Sequence, residues 1–400
     1  MATATAPHAP ISVPAPAADN RLAIDGGTPI SKTTIPFMST GLSDADIGAA
    51  VRVLHSGMLR AATKCDELER RFGAMTGAKH AMTCANGTCA LQLAYEPLFA
   101  PGDEILVPAW SYIATVSMVV ARGCVPVFVD AIPGTAQFDV ADASKKITKK
   151  TKGIAATHLY GLVVDIDGIQ ALAKAHNLKV VYDAAQSHLA QYKDKPIGAF
   201  GDAVTYSFYA TKNLGTGEGG LISCNDDALA RSIKLLRSHG ETDKYLHESV
   251  GYNYRMNDIT GAIGCSKLDR LEAQTSQRQK NAVRLDAAFK DVAGITPFEQ
   301  TPGTKGVYHL YVIKIDPARF TVSRDQFAKA LMAEGVPSAV HYPRSLPQQP
   351  ALSRFDKNDT PIAFSLAQQV LALPMHHDLS EAHLSNIVAA VTKVASAYRR

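Results

Sequence analysis

The chain has 400 residues, too many for one small core and enough for two domains, one large and one smaller. Hydrophobic content of 46%, charged content of 20% and a formal charge of +4 are ordinary for a soluble globular protein and exclude a nucleic-acid-binding surface of the usual basic kind. No apolar run approaches a membrane span, and Cys65, Cys84, Cys89, Cys124, Cys224 and Cys265 form no CxxC pair and no zinc-like cluster, so the expectation is a reducing, cytoplasmic setting without a metal.

The first twenty residues are rich in Ala and Pro, lack the basic and apolar regions of a signal peptide, and read as a disordered tail, 1–20. Ser43–Ser56 then reads as a helix, with a serine cap and Asp44 and Asp46 in its first turn, and Lys64–Thr76 as a second. From there short apolar strands alternate with helices: strand Lys79–Cys84, helix Cys89–Phe99, strand Glu104–Pro108, helix Ala114–Arg122, strand Val125–Val129. The alternation continues through strand Gly153–His158, helix Ile166–His176 and strands Lys179–Tyr182, Val204–Phe208 and Gly220–Cys224. Such a pattern predicts an α/β fold with a mostly parallel sheet covered by helices on both faces. Lys145, Lys146, Lys149, Lys150 and Lys152 form the densest basic run and read as a solvated face. A long helix over Asp258–Val292 links a large domain, 21–280, to a smaller C-terminal domain, 281–400. The latter mixes a strand at Tyr308–Ile315 with helices at Arg324–Glu334, Ala363–Leu371 and Glu381–Ala395.

Four segments carry chemistry. In Tyr206-Ser-Phe-Tyr-Ala-Thr-Lys-Asn-Leu-Gly-Thr-Gly-Glu-Gly-Gly220, Lys212 stands five residues after Ser207 and just before a glycine-rich turn that lets backbone pass close to a ligand. Asp183 ends the apolar strand of Val180-Val-Tyr-Asp, where open α/β sheets bind ligands. A lysine beside a phosphate-sized loop and an acid at a strand end point to pyridoxal 5'-phosphate (PLP), with the lysine as Schiff base and the acid on the pyridinium nitrogen. Taken alone, Asp183 reads as a helix cap or an ion-paired acid in preference to a cofactor ligand. In Cys84-Ala-Asn-Gly-Thr-Cys89, the N–H groups of Gly87 and Thr88 at a helix start form an anion site or a plain capped helix. In Val107-Pro-Ala-Trp-Ser-Tyr-Ile-Ala-Thr115, Trp110 and Tyr112 are both placed to stack on a flat ring or to fill a core.

Together these segments, with His158-Leu-Tyr-Gly161, Gly198-Ala-Phe-Gly-Asp202, Arg237-Ser-His-Gly240, Gly251-Tyr-Asn-Tyr-Arg-Met256 and Val340-His-Tyr342, follow one family's order and spacing. From about Arg21 to the C-terminus the chain resembles the DegT/DnrJ/EryC1/StrS sugar aminotransferases, PLP enzymes of fold type I. The resemblance implies a large domain with a mostly parallel seven-stranded sheet and a smaller C-terminal α+β domain. It implies that Lys212 is the Schiff-base lysine and proton shuttle, and that Asp183 pairs with the pyridinium nitrogen. Gln186 would lie near the ring and its 3'-oxygen; Gly87, Thr88 and Ser207 would bind phosphate; Tyr112 would take the stacking position. Asn253 would reach the phosphate of a partner subunit, making a homodimer with shared active sites. Glu218 lies beside the lysine turn, and His158, Tyr160 and His341 are implied on the substrate side.

The activity so implied is transfer of an amino group from glutamate or glutamine to a keto-sugar, usually a nucleotide-linked keto-deoxysugar, with a free keto-cyclitol as the alternative. A PLP-dependent sugar dehydratase would carry histidine in place of Lys212, and a non-catalytic PLP-binding regulator would not need the complete residue set. Two departures from the family pattern, Gly57-Met-Leu-Arg-Ala-Ala-Thr63 and Ser345-Leu-Pro-Gln-Gln-Pro350, fall on the substrate side.

Overall fold

A computed structural model describes Ile11 and residues 21–400; the expected tail, save Ile11, lies outside the described residues. Seven strands form the central sheet: β1 (His80–Cys84), β2 (Glu104–Pro108), β3 (Val125–Val129), β4 (Thr151–Thr157), β5 (Lys179–Asp183), β6 (Ala203–Ser207) and β7 (Gly220–Cys224). Their order is β1-β7-β6-β5-β4-β2-β3, and β7 alone runs against the others. The mostly parallel seven-stranded sheet is thus as expected.

Side-chain alternation along each strand divides the interior between the two faces of this sheet. Ile105, Val107 and Val181 join one apolar cluster, while Leu106, Val180 and Tyr182 join the other. Helices cover both faces, which is why the strands read as continuous apolar runs. They begin where side chains can satisfy free backbone donors. Ser43 and Asp46 form a capping box at α1 (Asp44–Ser56), and α2 (Thr63–Thr76) follows. Asn86 Oδ1 accepts from Cys89 N–H at the start of α3 (Gly87–Tyr95). After α4 (Ala114–Ala121), Asp139 caps α5 (Val140–Lys145) and Asp165 caps α6 (Ile166–His176). Helix α7 (Asp227–Arg237) is capped by Asp226; neither it nor α5 was expected from the sequence pattern.

The 32-residue helix α8 (Asp258–Phe289) packs against α1 and α2 and continues to the C-terminal part of the chain. There a second sheet joins β8 (Ile295–Pro297), β9 (Tyr311–Ile315) and β10 (Val370–Leu373), all antiparallel. Helices α9 (Arg324–Ala333), α10 (Pro361–Gln369) and α11 (Glu381–Ala397) complete this unit. The helix expected over Ala363–Leu371 therefore ends at Gln369, and the next four residues pair with β9 instead. An apolar run of that length fits a buried strand as well as a helix. The strand expected from Tyr308 begins only at Tyr311, because Tyr308 takes a left-handed turn (φ +48°) and Leu310 N–H donates to Tyr160 C=O.

Fully buried Glu334 fastens the N-terminal segment to this unit: it accepts from Ala23 N–H and Ile30 N–H and pairs with Lys393 Nζ at 2.9 Å. Asp130, at the end of β3, accepts from Ile362 and Ala363 N–H and so ties α10 to the central sheet. No helix among the described residues is long and apolar enough to cross a membrane.

Candidate active site

The carboxyl ends of β4, β5 and β6, the first turn of α3, the loop before α4, the turn after β6 and two segments of the C-terminal unit enclose a cavity of about 790 Å³. This is where an open α/β sheet presents loops and helix starts to a ligand. Lys212, Asp183, Gln186, Gly87, Thr88, Ser207, Tyr112, Glu218 and His341 all border it.

Asp183 ends β5 with its carboxylate buried and no ion pair among the described residues. Thr115 Oγ1–H donates to its Oδ2 at 2.6 Å, and Ala185 N–H to its Oδ1 at 3.0 Å. Behind Thr115 lie two more hydroxyls: Ser111 Oγ–H donates to Thr157 Oγ1 at 3.0 Å, and Thr157 sits 3.2 Å from Thr115. Burial pushes the Asp183 carboxyl above its ordinary pKa; the two hydrogen bonds and the charge of Lys212 oppose this. A cation brought against the carboxylate would stabilise its ionised form further.

Lys212 sits in the turn after β6, its N–H donating to Tyr209 C=O. Burial lowers its ammonium to a pKa of about 8, with Asp183 pulling the other way. Gly87 and Thr88 are the first two residues of α3, whose start turns unsatisfied N–H groups outward. A Cβ on Gly87 would come within 2.7 Å of Ser207 Cβ, so only glycine lets the helix start approach the strand end this closely. Gly87, Thr88 and Ser207 so meet at one wall of the cavity.

The two aromatics after β2 take different places. Tyr112 is 58% exposed and borders the cavity, whereas Trp110 is buried and donates from Nε1 to Tyr160 Oη at 2.9 Å. Gln186 Oε1 accepts from Tyr160 N–H at 2.6 Å, and its Nε2 donates to Tyr342 Oη at 3.1 Å.

His158 and Tyr160 do not border the cavity, in contrast to the substrate-side positions the resemblance implies for them. His158 is fully buried, stacks on Tyr182 with ring centroids 5.0 Å apart, and accepts Val164 N–H at Nδ1. Burial drives its pKa down to about 3, so it stays neutral in the core. Tyr160 acts one layer back: its hydroxyl donates to the His341 carbonyl. Asn253 is exposed and outside this cavity, with its backbone bridged to Ser238. No group of His, Cys, Asp and Glu among the described residues could hold a metal.

Sequence reasoning missed Thr115, His309 and Tyr342. Thr115 lies in a segment already singled out, but only the fold brings it to Asp183. His309, 5% exposed, borders the cavity and meets Asn213 Oδ1 through Nδ1 at 3.3 Å; its signal is no more than a histidine before β9. Its pKa is pushed well down by burial and by the charge of Lys212.

The profile of the DegT/DnrJ/EryC1/StrS aminotransferase family matches residues 42–392. The chain belongs to this family. As a family member it is an aminotransferase. It is 38% identical over 343 residues to UDP-2-acetamido-2-deoxy-3-oxo-D-glucuronate aminotransferase of Pseudomonas aeruginosa, covering 85% of this chain and 93% of that protein. Among solved structures it is similar to DesV of S. venezuelae, with a TM-score of 0.87 and 32% identity over 91% of this chain and 99% of that one. It is also similar to the PLP-form of Spr1654 from Streptococcus pneumoniae, with a TM-score of 0.85 and 29% identity over 91% and 99% of the two chains.

Proposed function

We propose that this aminotransferase uses PLP to move an amino group from glutamate or glutamine to the carbonyl of a nucleotide-linked keto-sugar. The observation that carries the reading is the joint placement of Lys212, Asp183 and the Gly87–Thr88–Ser207 wall around one cavity. The residues fit the cofactor in three places. The helix start supplies N–H groups for a phosphate, Asp183 is a buried acid with no direct ion pair among the described residues, and Tyr112 offers a ring at the wall. When bound, PLP supplies an aldehyde that takes up an amino group and a ring that withdraws electrons.

The chain's own residues set up that chemistry. Asp183 would hold the ring nitrogen protonated, and Thr115 and Ala185 favour its ionised form and aim it. Lys212, its pKa lowered to about 8, gives up and takes back a proton at little cost near neutral pH. Gly87, Thr88 and Ser207 would hold the phosphate. Exposed Asn253 would reach the phosphate of a second copy, which completes a homodimer with shared sites. The keto-sugar assignment rests on the named activity of the P. aeruginosa relative. A free keto-cyclitol is the alternative acceptor.

The test is the purified protein's visible absorption with PLP, followed by addition of glutamate or glutamine and then of keto-sugars. The expected outcome is a visible band that a donor bleaches and a keto-sugar restores. Lys212→Ala is expected to lose both the lysine-linked band and turnover; normal transamination by that variant would sink the mechanism.

A further inference from the structure

The direction of one hydrogen-bond chain is fixed by chemistry. A main-chain N–H only donates, so Tyr160 N–H, 2.6 Å from the Gln186 side chain, must meet its amide oxygen. The other end of that amide is then NH₂, and it donates to Tyr342 Oη at 3.1 Å. Tyr342 Oη is therefore an acceptor in this contact. Its own O–H must point elsewhere, and no acceptor for it occurs among the described residues.

Tyr342 also borders the cavity. Its ring lies edge-on to Trp110 with centroids 6.0 Å apart and tilted against Tyr112 at 6.2 Å. The backbone just before it is held from behind, where the Tyr160 hydroxyl donates to the His341 carbonyl. Burial and the nearby Asp183 carboxylate raise the phenol's pKa, so it keeps its proton throughout the working range. A fixed, protonated hydroxyl with a lone pair engaged by Gln186 is a directed donor at the cavity wall.

We propose that Tyr342 Oη–H donates a hydrogen bond to an oxygen bound in this cavity, either the phenolic oxygen of the pyridoxal ring or an oxygen of the keto-sugar. The inference rests on the PLP and keto-sugar reading above. Tyr160 and Gln186 are positioning residues in it: they set the polarity of Tyr342.

The experiment compares the wild-type protein with Tyr342→Phe, which removes the hydroxyl and keeps the ring. PLP is titrated into cofactor-free protein by fluorescence quenching. UDP-N-acetylglucosamine and dTDP-glucose are titrated into cofactor-loaded protein by calorimetry, with melting temperature recorded in parallel. Failure of the wild type to bind PLP would count against the proposed function and not against Tyr342. With wild-type binding in hand, an about tenfold weakening confined to PLP assigns the oxygen to the cofactor, and one confined to the nucleotide sugars assigns it to the substrate. Unchanged binding in both arms overturns the proposal, as does a loss in both that follows a fall in melting temperature. Should the phenylalanine variant fail to fold, 3-fluorotyrosine at position 342 supplies a stronger donor of the same size. Tighter binding then supports the proposal and unchanged binding overturns it.

Discussion

The Thr115 hydroxyl donates to the Asp183 carboxylate across 2.6 Å, joining the start of α4 to the end of β5 beneath the cavity floor. This contact and Ala185 N–H are the two hydrogen bonds that favour the ionised form of a carboxyl whose pKa burial raises. Asp183→Asn keeps the shape and removes the charge. Turnover is expected to fall about 10²–10³-fold, the range for loss of one preorganised electrostatic group. Thr115→Val leaves the acid in place with one donor fewer, at a stability cost of about 1–3 kcal/mol. Steady-state kinetics and urea unfolding of the two variants check this. A Thr115→Val protein as stable and active as wild type would show that the hydroxyl does not support Asp183.

Lys212 yields a pH prediction. Burial disfavours its ammonium and brings the pKa to about 8 from 10.5, while Asp183 acts in the opposite sense. In cofactor-free protein, acetylation of Lys212 followed by mass spectrometry should titrate near pH 8, well below surface lysines. Asp183→Asn should lower that midpoint further, since it removes the anion that favours the cation. Between pH 8 and 10.5 the unfolded chain binds the proton that the folded chain has released, so this residue makes stability rise with pH across that window. Lys212→Met should flatten the rise.

Much of this architecture is written in local pattern, and the remainder depends on distant pairings. Val180, Val181 and Tyr182 read as a buried strand because all three are apolar, and the structure sends the middle one to the opposite face from its neighbours. Gly87 and Thr88 are legible because a helix start with small residues has free N–H groups whatever lies beyond it. Local pattern alone leaves Trp110 and Tyr112 open and only the resemblance prefers Tyr112, since the place of Trp110 depends on Tyr160, fifty residues on, which takes its N–H. The Thr115–Asp183 bond spans 68 residues and the Gln186–Tyr342 bond 156, distances over which sequence spacing carries no geometric information. Val370–Leu373 reads as the end of a helix until β9 is there to pair with it.

The acid limb of the stability profile should depend on His158 and His188. Both are fully buried, and burial holds each near pKa 3 instead of 6.5. His188 Nε2 lies 2.9 Å from the Ser207 carbonyl, which can only accept, so the proton sits on Nε2 and Nδ1 is left buried without a partner. In His158 the Val164 N–H occupies Nδ1, and Nε2 is the orphan. Each ring folds neutral and becomes charged once the chain unfolds below pH 6.5. The stability these rings preserve is therefore complete above pH 6.5 and is lost as pH falls toward 3, at about 1.4 kcal/mol per pH unit for each ring. Urea unfolding of cofactor-free protein at pH 7 and pH 5 measures this loss. His158→Asn and His188→Asn should each start from lower stability yet lose less of it between the two values. Neighbouring His309 and His341, also lowered by burial, keep the slope from vanishing in the double variant. Equal slopes in wild type and both variants would show that neither imidazole is held neutral by the fold.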